Sequence, residues 1–265
     1  MKAPEVVVPE QIRQKLGRYG QRSVQEFGDW LRGVPRACIS LKSRRVRQGG
    51  VFHRLFGSPE PALPVVRSKL GGSPYPAFPP LDKQSEFVCQ INFADVPRLE
   101  GVPSCGMLRI DSSRKAALSG FVARWEPSPL AADLSPASRH ARAEAEIVAE
   151  LSWTLPEGKE LNDALHNDDE LIDTWFGSYP AGYTQDDEYA HRIGGWRSAG
   201  IEEGSGFEPI PGESRDVLDY EMFLRLSMDA EWKFFGHSGI LYVLVLRGDL
   251  EKGRFDRLTC VVSPV

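Results

Sequence analysis

Lys69, Gln90, His191, Arg192 and Arg225 are the residues whose types and positions are best suited to hold a ligand. Lys69 and Arg192 each stand just ahead of a Gly-Gly pair, Gly71-Gly72 and Gly194-Gly195. A cation beside such a turn can cap strand-end carbonyls or face an anion, and two glycines can form an anion-binding nest. A tight turn that brings backbone close to a strand is the other reading of the glycines. Gln90 is an amide inside the apolar run Phe87–Phe93, where it is either half-solvated or a hydrogen-bonded bridge. His191 joins Asp186-Asp187-Glu188 to Arg192 and has the chemistry of a general base.

The remaining reactive groups form no motif. His53, His140, His166, His191 and His237 include no pair at ligand spacing, and no metal or other cofactor is expected. Cys38, Cys89, Cys105 and Cys260 have neither metal-knuckle nor redox spacing. Free thiols, buried wherever they fall inside strand patterns, are the expectation. No G-x-S-x-G turn is present. With no catalytic motif the reading leans away from an enzyme.

A second kind of surface is carried by residues 157–190. They hold ten carboxylates against Lys159 alone, interleaved with Trp175, Phe176, Tyr179, Tyr183 and Tyr189. Charge with aromatics suits a protein-binding face. The candidates are Asp168, Asp169, Asp173, Tyr179, Tyr183, Asp186, Asp187 and Tyr189, and the alternative is a solvated helix-loop face. The helical spacing of Leu161, Leu165, Ile172 and Trp175 puts Trp175 in the core instead. Residues 1–70 carry a charge of +9 and residues 157–265 one of −12, within a net −5. Such asymmetry means docking of the chain's own ends, solvated faces, or a charged partner. Arg44-Arg45-Val46-Arg47 lacks interleaved aromatics, so nucleic acid is not an expected partner.

The elements that must position these residues are mostly strands. Alternation predicts strands at about 37–42, 86–94, 106–111, 117–125, 147–155, 220–228, 239–247 and 255–262. The run at 239–247 is apolar on both faces and is expected at the sheet's centre. Helices are expected over 9–32, interrupted near Gly17 and Gly20, and from Lys159 to Phe176, with a break at Asp168-Asp169-Glu170. The links between consecutive strands are too short for helical crossovers, so pairing is antiparallel. The fold class is α+β: mostly antiparallel sheets from an internal duplication, with few peripheral helices. The duplication is read from an order that recurs. A basic-aliphatic-Gly-Gly unit is followed by a strand and then by a strand opened by Gly106 or Gly239. Repeat one covers about 67–125 and repeat two about 190–262. Residues 1–66 are read as a helix-and-strand extension packed on a main domain, 67–265.

Several blocks together resemble the YwqG-like family, a bacterial family without an established biochemical role. They are Ser68–Pro74, Cys89-Gln90-Ile91-Asn92, Pro103, Gly106 and Leu108, then His191–Gly195, Phe223-Leu224-Arg225-Leu226 and Gly239–Tyr242. The resemblance spans about 67–262 and implies an internally duplicated α+β fold but no reaction. The family tends to carry Gln where Arg225 stands, and another Gln after the second Gly-Gly, which Trp196–Gly200 lacks.

No apolar run approaches the ~20 residues of a membrane span, and with Val6-Val7-Val8 too short for an apolar leader core no signal peptide is expected. The leading expectation is a non-enzymatic cytosolic protein that binds another protein with a basic surface. Its concrete form is a bacterial toxin-neutralising, immunity-type protein. The alternative is a small-ligand protein or enzyme using Lys69, Gln90, His191, Arg192 and Arg225 in a groove between the repeats. The sequence sets no oligomeric state.

Overall fold

The computed structural model describes residues 3–45, 66–75, 85–112, 120–129, 144–180, 183, 191–198, 200–203, 207–227 and 239–263. Its ten strands are β1 (Arg36–Arg45), β2 (Lys69–Leu70), β3 (Glu86–Asn92), β4 (Met107–Ser112), β5 (Phe121–Glu126), β6 (Ala145–Thr154), β7 (His191–Gly194), β8 (Tyr220–Ser227), β9 (Ile240–Leu246) and β10 (Leu258–Ser263). They form one sheet in the order β10-β9-β8-β7-β1-β6-β2-β3-β4-β5. Every pairing is antiparallel. Among the described residues helices are few, so the class is α+β with the sheet dominant.

The sheet curls so that one face becomes an interior. Ile39, Leu41, Ile91, Leu108, Ile193, Leu224 and Val243 alternate into it from both halves. The edge strands approach each other: the Cys260 thiol on β10 reaches the backbone of Ala123 on β5. Phe93 lies 5.5 Å from Phe223 and Trp125 lies 5.2 Å from Phe255, ring centroid to centroid. These contacts join the two halves of the strand order across the interior.

The two five-strand halves match in several details. Lys69 pairs with Gln90 and Gln90 with Arg109, as Arg192 pairs with Arg225 and Arg225 with Tyr242. One extra residue bulges β3 between Phe87 and Cys89, and one bulges β8 between Met222 and Leu224. A bulge shifts the facing of every later residue. Gln90 therefore lies on the outer face although Val88, two residues earlier, joins the interior core. The Gly-Gly pairs have φ of 62° and 71° at Gly71 and Gly72, and 66° and 83° at Gly194 and Gly195. A Cβ on Gly72 would overlap the Glu144 carboxylate, and one on Gly195 would press on Thr154 Oγ1. Close approach of backbone explains the glycines, and the Gly71 N–H donates to the Val88 carbonyl at 2.8 Å.

Two expectations change. β9 is second from an edge, not central. It is apolar on both faces because Ile201, Tyr220 and Val261 build a second apolar layer over its outer side with Tyr242, Leu244 and Leu246. Residues 1–66 are also not just an extension on the main domain. β1 lies at the centre of the strand order, paired over its whole length with β6 and also with β7.

The N-terminal helices and those of residues 159–177 gather in a separate layer, while Gly200–Glu203 and Arg247–Leu250 lie against the sheet. Glu10–Leu16, the 3-10 turn Gly17–Tyr19 and Gln21–Gly33 pack against Lys159–Ala164 and Asp169–Gly177. Their shared core is Ile12, Leu16, Phe27, Leu31, Leu161, Leu165, Leu171 and Trp175. The expected break comes just before Asp169: His166 and Asn167 take φ of 59° and 54°, and Asp168 caps the next helix by accepting from Leu171 N at 3.1 Å. No helix among the described residues is long and apolar enough to cross a membrane.

Candidate functional site

The five predicted ligand residues do not meet in one groove. All are buried, on two rows separated by β1 and β6. Three strand steps part Lys69 from Arg192, roughly 14 Å at the usual spacing. Their hydrogen bonds hold neighbouring backbone in place. Gln90 Oε1 accepts from Tyr75 N at 2.8 Å and its Nε2 donates to the Arg67 carbonyl at 2.9 Å. Asn92 Nδ2 donates to the Val66 carbonyl at 2.9 Å. Lys69 Nζ pairs with Glu144 at 2.9 Å, and Arg192 Nη1 donates to the Gly194 carbonyl at 2.6 Å. His191 Nδ1 accepts from Ser227 N–H at 2.9 Å, so that nitrogen is engaged and the ring proton sits on Nε2. Among the described residues no group of three His, Cys, Asp or Glu is placed to hold a metal.

The same outer face carries a buried ion triad that alternation alone did not disclose. Asp111 Oδ1 accepts from Arg109 Nε at 2.9 Å and Nη2 at 2.6 Å, and its Oδ2 accepts from Arg124 Nη2 at 2.6 Å. Burial lowers the Arg109 guanidinium pKa, while the Asp111 hydrogen bond and charge raise it. Arg109 and Asp111, alternating with Leu108 and Ile110, were the available signal.

The acidic segment is partly engaged within the chain. Asp168 caps its helix and also accepts from Tyr19 Oη at 2.6 Å. Glu170 pairs with Lys15 at 2.8 Å and Arg18 at 3.0 Å. The basic N-terminal helix thus docks on the acidic one. Tyr179 accepts from Leu155 N at 3.2 Å and Tyr183 donates to the Pro4 carbonyl at 2.6 Å. Both tyrosines pack on the helical core, which fits a bracing role rather than that of exposed anchors. Asp169 and Asp173 are exposed. Asp186, Asp187 and Tyr189 lie outside the described residues.

Hydrogen bonds from Tyr19 and Leu171 hold the Asp168 carboxyl below its usual value of 3.8. Lys15 and then Arg18 hold Glu170 below 4.5. The native state therefore binds fewer protons than the unfolded chain in acid. This contribution is complete above pH 4.5 and is lost as pH falls through the lowered native values. Hydrogen-exchange protection factors in residues 10–19, which correct for the pH dependence of the intrinsic exchange rate, should fall at pH 3 relative to pH 6. The Asp168→Asn variant should show a smaller fall.

What the acidic helices leave open is a groove of about 450 Å³ beside the helix Gln21–Gly33. Phe27 and Trp30, stacked with centroids 5.4 Å apart, form its floor, and Glu26, Glu160, Asp163 and His166 its rim. Among the described residues no Lys or Arg lines it. Arg22 pairs with Glu26 at 2.7 Å, whereas Glu160 and Asp163 are exposed and make no ion pair among the described residues. Phe27 and Trp30 at i,i+3, with Glu26 alongside, were the sequence signal for this face.

The four cysteines are free thiols: Cys38, Cys89 and Cys260 are buried and Cys105 is exposed. Burial pushes the Cys89 and Cys260 thiols up, Cys260 to about 12.

A search of curated proteins finds no match to the chain. A family model described as a domain of unknown function, DUF1963, matches residues 68–263, the segment from β2 to the end of β10. The chain belongs to that DUF1963 family.

Proposed function

We propose that this is a non-enzymatic bacterial protein of the cytoplasm that binds another protein through a basic surface on that partner. Toxin neutralisation of the immunity type is its concrete form. The observation that carries the reading is the acidic groove over the Phe27–Trp30 floor, where Glu160 and Asp163 are exposed and make no ion pair among the described residues. A lysine or arginine side chain entering it would gain both a carboxylate and an aromatic face. The exposed Asp169 and Asp173 extend the same sign of charge and would steer a cationic partner.

The same proposal takes the chain as YwqG-like and internally duplicated. The paired registers Lys69–Gln90–Arg109 and Arg192–Arg225–Tyr242 support it, as do the two bulges and the two left-handed Gly-Gly turns.

The test is capture of a partner from the producing cells, followed by kinetics on the purified pair. Reversing Glu160 and Asp163 to lysine should slow association at least about tenfold at low salt and flatten its salt dependence. Thermal stability should hold, because both side chains are exposed. A partner whose association is unchanged by the double reversal, or whose interface leaves Trp30 and Asp163 open, overturns the reading.

A further inference from the structure

A second cavity, of about 480 Å³, opens at the end of the curled sheet where its two halves face each other. One wall comes from Val102, Pro103 and Trp125, the other from Leu250 and Phe255. The two wall rings, Trp125 and Phe255, are backed by an aromatic cluster. Trp125 lies 5.3 Å from Phe93 and 5.2 Å from Phe255, and Phe255 lies 4.9 Å from Phe223. Trp125 is held in place by Gly106, whose φ of +101° and missing side chain let the indole lie directly over the backbone. A Cβ at Gly106 would collide with that ring. The cavity is thus preformed, apolar and walled by both ends of the strand order, the kind of place where small molecules bind at barrel mouths.

Its charge is one-sided. Glu251 lines the rim; among the described residues no Lys or Arg does, and Glu251 makes no ion pair. A carboxylate beside an indole and a phenyl ring favours a cationic head and rejects an anionic one. We propose that this cavity is a binding site for a small organic cation, an ammonium head carried on an aromatic or branched aliphatic body. The body would stack on Trp125 and Phe255 and the head would pair with Glu251. This site is separate from the acidic groove of the helical layer and does not rest on that reading.

The test uses three probes with one body and three heads: 1-naphthylmethylamine, 1-naphthalenemethanol and 1-naphthoate. Each is titrated calorimetrically into the full chain up to about 1 mM, the affinity range such small bodies reach. The amine should bind about tenfold tighter than the carboxylate. Glu251→Gln should reduce that preference to less than about twofold while leaving the alcohol unchanged. Ser104→Trp, at an exposed rim position, should block all three with the thermal midpoint kept. Cys105 supplies the location. It lines the same cavity and is the exposed cysteine, so its alkylation by iodoacetamide should slow when the amine is bound. Equal affinity for amine and carboxylate, no binding by any probe, or binding that leaves Cys105 alkylation unslowed would each overturn the proposal.

Discussion

Replacing Asp111 by alanine is expected to cost about 3–5 kcal/mol, the range found when one partner of a buried ion pair is removed. Asp111 is fully buried and accepts from both Arg109 and Arg124. Its loss leaves two guanidiniums on adjacent strands, directly opposite each other in register, without the shared anion. Asp111→Asn should cost less, since the amide oxygen still accepts one of the bonds. Replacing all three residues together by Met, Leu and Met should recover most of the loss, because an apolar set of similar volume needs no desolvation of charge. Urea denaturation checks this: the midpoint should fall for Asp111→Ala with the slope unchanged. An alanine variant within about 1 kcal/mol of the parent would mean that solvent reaches the triad in the native state.

Trp175→Ala should be comparably damaging, about 3–5 kcal/mol, through the cavity it leaves in the helical layer. Trp175 is fully buried, with Phe27 edge-on at 5.6 Å and Tyr179 at 5.8 Å. It links the Asp169–Gly177 helix to the N-terminal helices, so hydrogen exchange should rise across 10–33 as well as locally. The conservative variant separates packing from hydrogen bonding. Trp175 Nε1 has no hydrogen-bond partner among the described residues. Trp175→Phe removes that orphan donor and should cost less than about 1.5 kcal/mol. If Trp175→Ala left the melting curve and the exchange pattern intact, the tryptophan would not be the keystone of this layer.

Alternation placed the long strands well because each has one face in the curled interior, as Leu108 and Ile110 do beside Arg109 and Asp111. β2 and β7 stayed invisible because two and four residues are too few to display a period. The bulge at Val88 hid the true facing of Gln90, since one extra residue exchanges the faces of all that follow. The candidate ligand set failed to converge for a topological reason. Lys69 and Arg192 are alike in local sequence, but two long strands run between them. The groove at Trp30 was legible only in halves, because its floor comes from the helix Gln21–Gly33 and two of its rim carboxylates, Glu160 and Asp163, from the helix Lys159–Ala164.

The central position of β1 bears on synthesis of the chain. On the ribosome β1 emerges early, yet its partners β6 and β7 lie more than a hundred residues downstream. Until Ala145 has emerged, the whole of β1 is a ten-residue template with both edges open; β6 covers one edge fully only when Thr154 is out, and the other edge waits for β7, which ends at Gly194. Exposed edges of that kind invite pairing with other chains. A nascent chain stalled before residue 145 should therefore need a chaperone more than one stalled after 194. Ribosome-bound fragments of those two lengths should differ in protease resistance accordingly.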